Sequence, residues 1–127
     1  MRWLILIGDE KFDLNTIKSI KHYGCVNCYD VPNIAGRYCV DFGKDHIFYD
    51  YNENIEEFEE DLIKIPYTNP HFITMTYTSI ERVKNILQQD NFPKNIYIDN
   101  DYGLILSIKK FIELGFPLDN NKIVSKK

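Results

Sequence analysis

The residues of this chain best suited to chemistry are carboxylates that follow apolar, strand-like runs. Asp9 comes just after the run at 3–7, Asp50 lies near the end of the run at 46–51, and Asp99 and Asp101 end and follow the run at 96–99. In an open parallel sheet, ligands bind beyond the carboxyl ends of the strands. If these strands run parallel, Asp9, Asp50, Asp99 and Asp101 meet on one rim beside Thr76 and Thr78. Such a set can hold Mg²⁺ and support phosphoryl chemistry. A plainer reading is local: Asp after a strand closes turns and caps helices, and Asp101 stands just before a helical pattern opening at Leu104.

In outline this arrangement resembles phospho-acceptor receiver domains and metal-dependent phosphatases. The resemblance implies a divalent-metal-dependent phosphoryl-transfer or phosphate-responsive domain. The motifs depart from both families. Gly8-Asp9-Glu10-Lys11-Phe12 stands where an Asp-x-Asp-x-Thr would follow the first strand, and Asp99-Asn100-Asp101 stands where a receiver places a lysine.

Cys25 and Cys28 have redox or zinc spacing, with Cys39, His22 and His46 as further ligand candidates. Their context disfavours both uses. The pair follows a helix-ending Gly24 instead of opening a helix, and an extended chain sends the two thiols to opposite faces. A role as small buried hydrophobes is expected. Neither a Gly-x-Ser-x-Gly elbow nor a glycine-rich phosphate loop occurs, and no cofactor is expected.

The charge pattern points elsewhere. Residues 45–61 hold eight carboxylates and no Lys or Arg, in a chain with 19 acids against 15 bases. The rest of the chain is therefore net basic, and the acidity is a local field of one sign. Wound as a helix over 55–65, Ile55, Phe58, Leu62 and Ile65 share one face, and Glu56, Glu57, Glu60 and Asp61 share the other. Glu56/Glu60 and Glu57/Asp61 are like-charge pairs, each costing about 0.2–0.5 kcal/mol. A solvated face explains the acids without a partner; a docking surface also explains why no base is interleaved.

Tyr49, Tyr51, Glu53, Glu56, Glu57, Glu60 and Asp61 are accordingly the expected contacts to a basic protein partner. In size and local charge the chain is similar to bacterial immunity proteins, which neutralise a toxin by masking its basic active site. The expected function is a non-enzymatic, toxin-neutralising type of binding protein. Nucleic acid is an unfavoured partner, because the bases are scattered and the acidic run repels phosphate.

The elements that must position these residues follow from periodicity. Strands are expected over 2–7, 25–31, 37–42, 46–51, 72–76 and 96–99, and helices over 14–23, 55–65, 80–89 and 104–114. Gly43-Lys44-Asp45 makes the turn of an antiparallel hairpin. Alternation of strands with helices argues for covering layers on a parallel sheet. The expected fold is a three-layer α/β/α sandwich on a mixed, partly parallel sheet of about six strands. Residues 1–118 form one domain, and 119–127 a frayed polar tail. No run is long enough for a membrane span or signal-peptide core, and three cysteines suit a reducing compartment, so a cytoplasmic location is expected.

Overall fold

A computed structural model of the chain describes residues 2–52, 65–100 and 104–118. The strands are β1 (Arg2–Gly8), β2 (Asn27–Asp30), β3 (Arg37–Asp41), β4 (His46–Asn52), β5 (His71–Tyr77), β6 (Tyr97–Asp99) and β7 (Ile105–Ser107). The helices are α1 (Leu14–Lys18), α2 (Ile80–Leu87) and α3 (Ile108–Glu113). The expected helix over 55–65 and the tail over 119–127 lie outside the described residues, apart from Ile65.

The strands form one sheet in the order β2-β3-β4-β5-β1-β6-β7, and every neighbouring pair is antiparallel. This corrects the three-layer sandwich on a partly parallel sheet. The cause lies in one insertion. β5 and β6 do point the same way and are joined by α2, as the alternation of strand and helix suggests. β1 occupies the place between them and runs against both. The β-α-β unit is thus split, and among the described residues no two parallel strands touch.

β1 is apolar and buried from Leu4 to Ile7 because both faces of this stretch are covered, whereas Arg2 and Trp3 are exposed. Leu4 and Leu6 point toward the helices and join a core with Ile17, Val40, Ile47, Ile73, Met75, Val83, Ile86, Ile98 and Phe111. Ile5 and Ile7 point the other way and pack with Ile65 and Phe72, flanked by Tyr67, Tyr97 and Ile105. Continuous burial is usual for parallel strands, but here a central antiparallel strand achieves it. The three described helices all bury their apolar residues in the first cluster, so they lie on one face of the sheet.

Local chemistry sets the element ends. Asp13 caps α1 through a capping box with Thr16, and the helix stops at Lys18, well short of the expected end. Ser79 caps α2 by accepting from the Arg82 N–H. The β3–β4 hairpin forms as expected, with Gly43 at φ +88° and the Phe42 N–H donating to the Asp45 carbonyl at 2.9 Å. Leu104 to Ser107 does not begin a helix: Ile105–Ser107 pairs with β6, and Ser107 caps α3.

Candidate functional site

The carboxylates expected on one rim are spread across the sheet. Residues directly opposite in an antiparallel sheet share a face, and Arg37, Asp50, Thr74, Ile5, Asp99 and Ile105 form one such row. Asp50 and Asp99 are three strand spacings apart along it, or about 14 Å. Asp9 lies past Gly8, about 13 Å along the strand direction from Ile5. A divalent ion needs its oxygens within about 2.6 Å of one point, so these three cannot share one. Among the described residues no three His, Cys, Asp or Glu side chains come together as a metal site. Asp101 lies outside the described residues.

Two acids of the 45–61 run are neutralised inside the fold. Arg37 Nε and Nη2 donate to the two Asp50 oxygens at 2.7 and 3.3 Å across the β3–β4 pair. Arg82 Nε and Nη2, from α2, donate to the two Asp45 oxygens at 3.1 Å each. The Arg82 guanidinium also lies 3.9 Å from the centre of the Phe42 ring. Both arginines form the bidentate fork that suits a carboxylate best.

The tyrosines expected to frame the acids are turned inward. Tyr49 is fully buried and its hydroxyl meets His22 Nε2 at 2.8 Å, so it is withdrawn from any surface contact. Tyr51, on the same face of β4, is half-buried and packs edge-on against His71. Glu53, Glu56, Glu57, Glu60 and Asp61 lie outside the described residues.

Tyr49 belongs to a polar chain that the sequence reading missed. The backbone carbonyl of Ile20 can only accept, so His22 Nδ1 carries the proton and bonds it at 3.1 Å. Nε2 is then bare and accepts from the Tyr49 hydroxyl. Burial lowers the His22 pKa and raises that of Tyr49. Beside Tyr49, Tyr38 is pushed up to about 12, first by burial and then by its hydrogen bond with Cys28. Cys28 Sγ lies 3.6 Å from Cys25 Sγ. Burial, then contact with Cys28, raises the Cys25 thiol pKa.

The two cysteines therefore face each other, contrary to the expectation of opposite faces. The signal for this was Gly24, which at φ +86° turns the chain just before Cys25. Further round the molecule, an open depression of about 610 Å³ is lined by Leu14, Lys18, Asp30, Ile34 and Arg37. Lys18 bonds Asp30 at 2.8 Å and Arg37 bonds Asp50, so its charges are satisfied within the protein.

No protein-family model, curated protein or solved structure matches this chain. No described helix is long and apolar enough to cross a membrane.

Proposed function

We propose that this is a small non-enzymatic binding protein that docks a basic protein partner through Glu53, Glu56, Glu57, Glu60 and Asp61. The mode would be that of an immunity protein covering a basic toxin site, in the cytoplasm. One observation carries the reading: the charge balance within residues 45–61. Asp45 and Asp50 are each matched by an arginine of the fold, but Glu53, Glu56, Glu57, Glu59, Glu60 and Asp61 have no base within their own stretch. A field of one sign raises the encounter rate with an oppositely charged surface and rejects acidic competitors. Tyr51, at the β4 end that leads into this stretch, is the aromatic that remains to flank it.

The test changes Glu56, Glu57, Glu60 and Asp61 together to Gln. The thermal midpoint should hold or rise slightly, since two like-charge pairs vanish. Association with a basic partner captured from the source cells should slow by ~10-fold at low salt and less at high salt. Equal association rates for both proteins at every salt concentration would reduce the stretch to a solubility feature.

A further inference from the structure

We propose that Cys25 and Cys28 are a thiol-exchange site, closing to an intramolecular disulfide by reaction with low-molecular-weight disulfides of the glutathione class. Their Sγ atoms are 3.6 Å apart, and a small side-chain rotation brings them to the bonding distance of about 2.05 Å. The geometry is held from both sides. Gln89 Nε2, at the end of α2, donates to the Lys21 carbonyl at 2.9 Å, and Gln89 Oε1 accepts from the Tyr23 N–H at 3.0 Å. On the far side the Val26 N–H donates to the Asp41 carbonyl at 2.8 Å. The turn carrying Cys25 is thus fixed between the end of α2 and β3, the strand that β2 and its Cys28 pair with, and the second thiol is at high effective concentration for the first.

Access divides the roles. Cys28 is exposed on β2, which among the described residues has a strand neighbour on one side only, and Cys25 is half-buried. Cys39 is buried and sits on the opposite face of the neighbouring strand, because Cys28 pairs with Val40 and side chains alternate. The Cys28 thiolate attacks one sulfur of the small disulfide and releases one small thiolate, leaving a mixed disulfide. Cys25, losing its proton, then attacks Cys28 Sγ and releases the second small thiol. Two protein thiols and one small disulfide become one protein disulfide and two small thiols. The product ties the loop after α1 to the edge strand.

The experiment incubates the native chain in glutathione buffers of rising oxidised fraction, followed by acid quench, thiol alkylation and intact mass. The expected product has lost two hydrogens and two of its three alkylatable thiols, with peptide mapping placing the bond at Cys25–Cys28. Cys39→Ser should close as readily, whereas Cys25→Ser should stop at a glutathione adduct on Cys28. A native chain that keeps three free thiols throughout, or halts at the adduct, would overturn the proposal. So would a two-hydrogen loss that survives Cys25→Ser.

Discussion

His22 has both ring nitrogens committed, one to the Ile20 carbonyl and one to the Tyr49 hydroxyl. A second ring proton would face the Tyr49 hydroxyl in place of a lone pair and would put a charge in the core. Its folded pKa accordingly lies below the 6.5 of a free histidine. Between those two values the unfolded chain binds more protons than the folded one, so stability falls as pH drops. The contribution is complete above pH 6.5 and is lost as pH falls through the folded value. Thermal melts on either side of pH 6.5 should therefore show a fall that His22→Gln flattens. An unchanged slope in that variant would place the sensitivity elsewhere. From the sequence His22 was only a candidate metal ligand beside the cysteine pair. What fixes its role is Tyr49 on β4, distant in sequence, and no local pattern reveals such a partner.

At the scale of elements, the hairpin turn and α2 are joined by Arg82. Its fork on Asp45 is partly buried, with side-chain exposures of 25% and 12%, and its stacking on Phe42 adds apolar contact. Arg82→Ala leaves the Asp45 carboxylate without this partner and should cost about 2 kcal/mol, allowing for the remaining exposure. Arg82→Lys keeps the charge but not the fork and should recover only part of that loss. Urea unfolding measures both; an unchanged midpoint for the alanine variant would mean the bond contributes nothing. The turn and α2 were each legible in the sequence, through Gly43 and through the apolar spacing of Val83, Ile86 and Leu87. Their connection was not, so Asp45 counted as part of a free acidic field. The α3 boundary was legible in principle: Ser107 is a good helix cap, but Leu104 and Ile105 extend the helical spacing and masked the short β7.

For the whole molecule, local periodicity located most strands to within a residue or two but could not say which strands are neighbours. The unbroken apolar run at 3–7 implied burial, which holds for Leu4 to Ile7 on both faces but not for Trp3, which is exposed. The run carried no information about direction, because an antiparallel strand in the middle of a covered sheet has the same composition. Ile5 tests that placement. It sits between Thr74 and Asp99 on adjacent strands and packs on the cluster with Ile7 and Phe72. Ile5→Asp buries a carboxylate opposite another and should cost several kcal/mol, a large part of a typical stability of about 5–15. Ile5→Val should cost about 1 kcal/mol. Circular dichroism melts separate the two, and an aspartate variant that melts like wild type would make β1 peripheral.

The same central position has a temporal consequence. β1 precedes both of its partners in the sequence, and they run from Tyr77 back to His71 on one side and from Asp99 back to Tyr97 on the other. As the polypeptide leaves the ribosome, Leu4 to Ile7 have no strand partner until β5 has been delivered, and the second edge of β1 stays open until β6 follows. Contacts so far apart in sequence slow folding and lengthen the interval in which a nascent chain can aggregate. The strand that joins β5 to β6 is thus also an apolar segment exposed to aggregation during synthesis.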